Sequence, residues 1–338
     1  MVRARTAPRV TVVIPTYNRA EWLSSSMAAV LGQTYHDFLL VVADNASDDD
    51  TGDVATGFDD ERVTYLRRPT NVGLVENHNR CLAEIATEYV LIVPDDDVVG
   101  SELLATTVAV LDEQPSAGMV HAGFDLIGPF GELREADVDW TYGLTTQTVE
   151  TGPEFIRRSM RWSCRVCAST ALMRTAALPA GFFDPADFPA VDFGLWLRMA
   201  LDWDMAFVPT TLGAYRVHGG SHSAAFGEPL EAGYVQDVQM VRRLREVKAR
   251  FCEAYADRLE DVDELRMIAD AAMRHELVVM ARNRTLPDRR FAQTAGALWR
   301  GLKVTPSLVR DADAWRLLAG SVAGPRMVDR LRGRVVRA

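Results

Sequence analysis

The chain has 338 residues, of which 48% are hydrophobic and 25% charged, and its formal net charge is −10. This composition is typical of a globular protein with an apolar core and excludes a disordered chain, and we expect no nucleic-acid partner. No apolar run approaches the roughly 18 residues that a membrane-spanning helix needs. The first ten residues lack a signal-peptide core, so we expect a cytoplasmic protein.

Short apolar runs alternate with amphipathic stretches in the first hundred residues. This pattern predicts strands at 10–15, 38–43, 63–66 and 89–93, and helices at 21–33 and 75–87. Strands that alternate with helices predict an α/β fold with a mostly parallel central sheet flanked by helices. In such a sheet, ligands bind beyond the carboxyl ends of the strands, and the polar clusters of this segment follow the strands.

The pattern changes along the rest of the chain. A helix is predicted at 101–120, leading to a strand at 118–122, and a loop-rich stretch follows at 124–151. Regular segments are predicted at 169–174, 191–201 and 206–209. Residues 233–284 are almost free of proline and glycine, which predicts two or more long helices. Cys164 and Cys167 form a C-x-x-C pair without a second pair that would complete a zinc site, so we expect buried thiols.

Four polar clusters follow the predicted strands and turns of the first hundred residues. They are Pro15-Thr16-Tyr17-Asn18-Arg19, Asp44-Asn45-Ala46-Ser47-Asp48, Asn71-Val72-Gly73-Leu74 with Asn77, and Asp95-Asp96-Asp97. Tyr17 offers a flat face on which a nucleobase can stack, and Asp44 offers an acceptor for a base N–H group. Three adjacent carboxylates repel one another and need a cation nearby, and oxygen ligands of this kind suit Mg²⁺ or Mn²⁺.

Two further clusters lie in the second half of the chain. Asp192 begins a predicted amphipathic helix, where a carboxylate is either a favourable N-terminal charge or a catalytic group. Asp184 and Asp187 are its rivals for a catalytic role, and we expect Asp184 to be structural. His218 ends the run Tyr215-Arg216-Val217-His218 before two glycines, where it can be structural or can contact a metal or a phosphate.

Taken in order, these clusters resemble the motifs of family 2 glycosyltransferases. Over about residues 9–99 the family pattern is a strand with P-x-Y-N, a strand with D-N-x-S-x-D, then N-x-G, and a strand with an acidic motif. The stretch 181–209 and the later Y-R-x-H run resemble the family's second signature. The resemblance implies a GT-A fold and an inverting, metal-dependent transfer from a nucleoside-diphosphate sugar, with a UDP-sugar favoured, to a small or carrier-linked acceptor.

The resemblance also implies roles for individual residues. Asp192 would deprotonate the acceptor, and Asp97 would be the main ligand of Mn²⁺ or Mg²⁺, supported by Asp95 and Asp96, with His218 as a further ligand. The expected donor contacts are Pro15, Thr16, Tyr17, Asn18, Arg19, Asp44, Asn71, Asn77, Asp95, Asp96 and Arg216. Residues 1–100 would form the donor-binding half, 101–225 the acceptor-binding and catalytic half, and 226–338 an all-helical C-terminal extension.

Other functions stay open. Transfer to a polyprenyl phosphate at a membrane surface is supported only by the basic amphipathic stretch 325–338, which we expect to dock on the acidic body of the chain instead. Nucleotidyl transfer would need a glycine-rich loop after the first strand, and a non-catalytic nucleotide-sugar-binding module would lack the carboxylates. A run at 158–162 is similar to a motif of processive synthases but precedes Asp192, so we expect a non-processive enzyme.

The long C-terminal helices have two expected uses. They can close over the acceptor, or they can form the interface of a homodimer.

Overall fold

The structure is a computed structural model that describes residues 8–137, 144–162, 166–220 and 238–285 and, beyond these, residues 295, 298–299, 301–303 and 305–323. Within this part of the chain, the strands form one ten-stranded sheet in the order β3-β2-β1-β4-β9-β6-β10-β5, with β7 pairing β6 and β8 pairing β10. From β1 to β10 the strands span Val10–Thr16, Phe38–Asp44, Val63–Arg67, Tyr89–Ile92, Val98–Val99, Ala117–Ile127, Leu133–Glu135, Thr148–Glu150, Leu172–Arg174 and Asp204–Arg216.

The first half of the sheet is parallel, as predicted. β1 lies between β2 and β4, with Val10 opposite both Phe38 and Tyr89, and β3 extends the parallel order beyond β2. β9 runs antiparallel to both β4 and β6, so the sheet as a whole is mixed. β6 and β10 are again parallel to each other. The α/β class is therefore confirmed. The strands before and after residue 100 belong to one sheet.

Helices cover both faces of this sheet. From α1 to α9 they span Ala20–Leu31, Thr51–Thr56, Leu74–Ala83, Leu103–Glu113, Gly152–Trp162, Val191–Met199, Val238–Ala254, Val262–Thr285 and Ala312–Ala323. Short 3-10 turns lie at Ala168–Thr170, Thr175–Ala177, Pro185–Asp187 and Pro306–Arg310. None of the described helices is long and apolar enough to cross a membrane.

Alternation along the strands divides the core into two layers. Val12 and Ile14 of β1 point into a layer that α1 and α4 cover, while Val13 points into the opposite layer. That second layer includes residues of α5 and α6 and, from the C-terminal extension, Leu244 and Phe251 of α7. The helical extension therefore shares a core with the sheet, so α7 helps to hold α6 in place.

Two strands are longer than the sequence pattern indicates. β10 begins before the predicted 206–209 segment and continues to Arg216, with a register shift against β6 between Val208 and Thr211. This irregularity accommodates Pro209, which has no N–H group to donate to the ladder. The expected loop at 124–151 contains the end of β6 and the three-residue strands β7 and β8, which are too short to produce a recognisable alternation.

Candidate active site

The loops that follow β1 and β2 are joined by their polar groups. Asn18 has a φ of 54°, in the left-handed region that asparagine tolerates better than most residues. Its backbone N–H donates to the Ser47 hydroxyl at 2.9 Å, and its side-chain oxygen accepts the N–H of Asp48 at 2.9 Å. Two of the predicted clusters therefore form one bridged pair of loops at the carboxyl edge of the sheet.

Within the first cluster, only the residues beyond the strand reach the surface. Pro15 and Thr16 are buried in β1, opposite Ala43 and Asp44 of β2. Tyr17, the next residue, is 43% exposed. A flat aromatic face is thus available at the end of the central strand, as expected for stacking of a base, while Pro15 and Thr16 position it from below.

Arg19 connects this loop to the residues that follow β10. Its guanidinium donates to the carbonyl of Gly220 and has its Nε atom 3.9 Å from Oδ1 of Asp95. It also lies over the ring of Trp22, with 5.5 Å from Cζ to the ring centroid. A cation therefore lies at the start of α1, where the N-terminal helix dipole also favours an anion.

The structure gives Asp44 a different role from direct contact with a base. Its side chain is fully buried, and Oδ1 accepts the backbone N–H and the hydroxyl of Ser47 at 2.8 and 2.5 Å. Oδ2 accepts the Tyr65 hydroxyl at 2.6 Å and lies 3.4 Å from Nε of Arg67. Because both carboxylate oxygens are satisfied by the protein, Asp44 shapes the loop at 44–48 and does not face a ligand.

Asn71 and Asn77 also act within the protein. The side-chain oxygen of Asn71 accepts Nδ2 of Asn45 at 2.9 Å and the N–H of Gly73 at 2.8 Å, which closes the turn before α3. Asn77 is buried and donates to the carbonyl of Ala43 at 2.9 Å. The expected donor contact of Asn77 is therefore corrected: its amide ties α3 to β2, beneath the surface of the site.

The acidic triplet follows β4, and its three carboxylates lie in different environments. Asp95 faces Arg19 and is buried, and this burial, followed by repulsion from Asp96, raises the pKa of Asp95 to about 7. The charge of Arg19 and the Thr16 hydroxyl act in the opposite direction on this pKa. A carboxylate that resists ionisation in the free protein is one that a bound cation would stabilise in its charged form.

Asp97, expected as the main metal ligand, points into the protein. It is 1% exposed, its Oδ1 accepts the backbone N–H of Arg216 at 2.8 Å, and its Oδ2 accepts the hydroxyl of Ser169. Burial and the neighbouring charge of Asp96 raise its pKa well above the usual value. Both oxygens therefore join the loop after β4 to the 3-10 turn Ala168–Thr170 and to the end of β10, which differs from the role expected from the sequence.

Asp96 is the member of the triplet that meets the histidine. Nε2 of His218 lies 2.9 Å from Oδ2 of Asp96, and the imidazole stacks at 4.0 Å between centroids on the ring of Trp22. A carboxylate suits Mn²⁺ or Mg²⁺ in chemical type, and an imidazole beside it favours a transition metal such as Mn²⁺ over Mg²⁺. No group of three or more metal-binding side chains occurs among the described residues. Asp96 and His218 are therefore the residues that would hold a divalent cation, and the remaining ligands would come from outside these side chains.

Arg216 is not available for the phosphate contact that its motif suggests. Its guanidinium is buried, with Nε donating to the carbonyl of Asp96 at 2.6 Å. Nη1 donates to the carbonyls of Gly128 and Pro129 at 3.2 and 3.1 Å. Arg216 therefore fixes the backbone of the acidic triplet, and the partly exposed Arg19 is a cation that can meet a phosphate.

Asp192 lies in the first turn of α6 and is not its N-cap, which is Ala190. Its Oδ1 accepts the N–H of Phe193 at 2.7 Å, and burial raises the pKa of its carboxyl to about 6. The charges of Asp97 and Asp192 both raise the pKa of the buried Cys167 thiol, after the larger effect of its burial. The charges of Asp97 and Asp192, two residues distant in sequence, therefore act on the same buried thiol.

Asp184 and Asp187, the alternatives to Asp192 as a catalytic carboxylate, are both engaged by other groups of the protein. Asp187 is buried between two guanidinium groups, with Arg198 at 2.9 Å and Arg250 at 2.8 Å. Asp184 caps the following 3-10 turn by accepting the N–H of Ala186 at 2.9 Å. Both have structural roles, as expected for Asp184, and Asp192 is the carboxylate of this segment left on the side of the acidic triplet.

Sequence reasoning missed three side chains that shape the site. Ser169 holds Asp97, Trp22 stacks on His218, and Tyr65 holds Asp44. A serine before a three-residue strand and an aromatic residue on an amphipathic helix produce no distinctive pattern. Only the position of Trp22, five residues after Tyr17, could have indicated a place near the site.

Cys81, Cys167 and Cys252 are buried free thiols, as expected, while Cys164 lies outside the described residues.

The chain is similar to known glycosyltransferases in sequence and in fold. The family model "Glycosyl transferase family 2" matches residues 11–175. The chain is 28% identical over 234 residues to an uncharacterized protein of Mycobacterium tuberculosis, an alignment that covers 64% of this chain and 68% of the relative. It is 32% identical over 130 residues to GalNAc(5)-diNAcBac-PP-undecaprenol beta-1,3-glucosyltransferase of Campylobacter jejuni, covering 37% of this chain and 41% of that enzyme.

Two solved structures share the fold. TarS of S. aureus in complex with UDP-GlcNAc aligns with a TM-score of 0.60 and 18% identity, covering 88% of this chain and 82% of that chain. Mannosyltransferase PcManGT from Pyrobaculum calidifontis, in complex with GDP-Man and Mn²⁺, aligns with a TM-score of 0.57 and 18% identity, covering 94% and 80%. Residues 11–175 match glycosyl transferase family 2, and the fold of the chain is of the GT-A type.

Proposed function

We propose that the protein transfers one sugar at a time from a nucleoside-diphosphate sugar, UDP-linked in preference, to a hydroxyl of a small or carrier-linked acceptor, with inversion at the anomeric carbon and dependence on a divalent metal. One observation supports this most directly. Asp96 of the acidic triplet meets His218 at 2.9 Å, a pair suited to the diphosphate side, and Asp192 is a separate carboxylate with a raised pKa, suited to the acceptor side.

On the donor side, Tyr17 supplies a surface for the base, and Arg19 with the start of α1 supplies positive charge for the diphosphate. Asp96 and His218 are the residues that would hold Mn²⁺ or Mg²⁺, with Asp95 beside them. The chemistry that such a cation would supply is positive charge to offset the negative charge developing on the departing diphosphate. Arg216, Asp97 and Ser169 keep the backbone of the triplet in place without touching the donor.

On the acceptor side, Asp192 takes the proton of the attacking hydroxyl. The acceptor oxygen then forms its bond to the anomeric carbon as the bond from that carbon to the diphosphate oxygen breaks. A general base on one side and a leaving group on the other describe one in-line displacement, which inverts the configuration. A pKa of about 6 leaves Asp192 ionised near neutral pH and still basic enough to accept a proton.

Calorimetric titration of the whole chain with UDP, GDP and dTDP, each with and without Mn²⁺, tests the donor half of the site. TarS carries UDP-GlcNAc and PcManGT carries GDP-Man, so both bases belong in the comparison. We expect UDP to bind most tightly and Mn²⁺ to strengthen its binding. Absence of binding by all three nucleotides to the folded protein, with the metal present, would contradict the donor site.

Tyr17→Ala should weaken nucleotide binding by about 5- to 150-fold, since stacking of a base on an aromatic ring contributes about 1–3 kcal/mol. Tyr17→Phe, which keeps the ring, is the matched control and should bind within a few-fold of the wild type. Titration calorimetry with the preferred nucleotide measures both. Equal losses in the two variants would show that the hydroxyl, and not the ring, makes the contact.

Ser169→Ala should raise the Mn²⁺ concentration needed for half-maximal nucleotide binding by about 10-fold or more, the usual effect of removing a group that orients a metal site. The hydroxyl of Ser169 holds Asp97, and Asp97 in turn holds the backbone of Arg216. Ser26→Ala is the control, because Ser26 is also buried and donates to Pro94 at 3.1 Å. A similar metal dependence in both variants would show that Ser169 contributes to packing only and does not orient the metal site.

A second candidate function is transfer to an acceptor on a polyprenyl carrier. The Campylobacter jejuni relative is named for a PP-undecaprenol acceptor. Activity on a polyprenyl-linked sugar, with none on the free sugar, would favour this form of the reaction.

A further inference from the structure

Helix α7 of the C-terminal extension contacts the turn that precedes α6. The guanidinium of Arg250, on α7, donates to the carbonyl of Ala186 at 2.5 Å and to Oδ1 of Asp187 at 2.8 Å. The other carboxylate oxygen of Asp187 accepts Nη1 of Arg198, on α6, at 2.9 Å. Asp187 is buried, so a single carboxylate joins α7 to α6 through two cations.

This turn is joined to the first turn of α6. The carbonyl of Asp187 accepts the N–H of Ala190 at 2.9 Å, and the carbonyl of Ala190, the N-cap, accepts the N–H of Gly194 at 3.2 Å. A Cβ atom at Gly194 would overlap Oδ2 of Asp187, so this carboxylate lies directly against the backbone of α6. Asp192 lies between Ala190 and Gly194 in the chain. A displacement of Asp187 therefore displaces the helical turn that carries Asp192.

A second residue of α7 contacts α6 next to Asp192. Lys248 is 1% exposed, and its Nζ atom donates to the carbonyl of Met160 on α5 at 2.8 Å. The same Nζ atom lies 6.0 Å from the centroid of the Phe193 ring. The backbone N–H of Phe193 is the group that donates to Oδ1 of Asp192. Helix α7 therefore contacts α6 and its preceding turn at residues on both sides of Asp192 in the chain.

We propose that Arg250 is a positioning residue for Asp192, which it holds through Asp187 in the orientation that a general base needs. This inference rests on the proposed role of Asp192 as the base. Proton transfer requires the base within hydrogen-bond reach of the acceptor hydroxyl, and a displacement of about 1 Å can lower a rate about 100-fold. Arg250 lies outside the residues 11–175 that the family model matches, so a helix of the extension contributes to the reaction.

Arg250→Gln in the full chain tests this role. Asp187 keeps its ion pair with Arg198, so the variant should fold, and thermal unfolding checks this. We expect kcat to fall about ten-fold or more, while the affinity for UDP with Mn²⁺ stays within a few-fold of the wild type. Arg250→Lys keeps a cation that can reach one of the two oxygen acceptors and should restore part of the loss.

Arg258→Gln is the matched control. Arg258 also belongs to the extension, donates to Oδ1 of Asp202 at 2.6 Å, and has a side chain 41% exposed, against 39% for Arg250. Asp202 lies beyond the end of α6, so this variant should keep its kcat. Hydrogen exchange is a readout that needs no turnover: the backbone amides of residues 185–193 should exchange faster in Arg250→Gln than in Arg258→Gln or the wild type.

Arg250→Gln combined with Asp192→Asn separates positioning from a general loss of stability. Residues that act as a unit are not additive, so the double variant should have the kcat of Asp192→Asn alone. Losses that multiply, or equal kcat in Arg250→Gln and Arg258→Gln, would overturn the positioning role while leaving Asp192 as the base. Full activity in Asp192→Asn would instead contradict the proposed base and this inference with it, so the two failures are distinguishable.

Discussion

Asp192→Asn should lower kcat by about 10²- to 10⁴-fold, the usual contribution of a general base, while the affinity for the nucleotide stays within a few-fold of the wild type. The amide keeps an oxygen that can accept the N–H of Phe193, so local geometry is retained and the ability to accept a proton is lost. Steady-state kinetics and nucleotide titration measure the two quantities. Asp184→Asn is the matched control, because Asp184 is a nearby carboxylate that caps a turn.

Stability distinguishes the catalytic reading of Asp192 from the structural one. Burial raises the pKa of Asp192 to about 6 in the folded protein. At pH values above the ordinary pKa of an aspartate, keeping this carboxylate ionised therefore lowers the free energy of unfolding. Asp192→Asn should therefore have a Tm at neutral pH equal to that of the wild type or above it. A carboxylate that mainly stabilises the N-terminus of α6 would produce the opposite, a lower Tm with little change in kcat.

The same pKa sets the acid side of the pH profile. Because Asp192 must be unprotonated to act as a base, kcat/KM should fall as the pH drops below about 6, approaching ten-fold per pH unit. The residual activity of Asp192→Asn should lack this dependence. A profile that is unchanged in the variant would show that another group controls the titration and would remove Asp192 as the base.

Asp96→Asn should weaken the Mn²⁺-dependent part of nucleotide binding by about 100-fold or more, since it removes the carboxylate that meets His218. Binding without metal should change little. His218→Ala should act in the same direction. Calorimetric titration of UDP across a range of Mn²⁺ concentrations measures the effect.

Asp97→Asn is the informative comparison, because sequence reasoning assigned the main metal contact to this residue. An amide at 97 can still accept the N–H of Arg216 and can donate to the hydroxyl oxygen of Ser169. We therefore expect its metal dependence to stay within a few-fold of the wild type. Loss of Mn²⁺-dependent binding in Asp97→Asn, with Asp96→Asn intact, would restore the sequence-based assignment.

Local pattern in the sequence was sufficient to predict the elements that carry the site. β-branched runs at β1, β2 and β4 end in proline, aspartate or an acidic triplet, and their parallel pairing is as predicted. The exposed Tyr17 and the position of Asp192 in the first turn of α6 also follow from short-range pattern. Such features depend on residues within a few positions of one another, and apolar periodicity records that information directly.

The tertiary structure alone decided which of these polar side chains are engaged by other groups of the protein. Asp96 and Asp97 are neighbours in the chain, yet one meets His218, 122 positions away, and the other meets Ser169, 72 positions away. Asp44 and Arg216 carry the right chemistry for a donor, but their atoms are taken by Tyr65 and by the carbonyls of Asp96, Gly128 and Pro129. Spacing along the chain predicts that these residues reach one edge of the sheet. Which of them remain open to a ligand depends on hydrogen-bond partners that only the folded chain brings within about 3 Å.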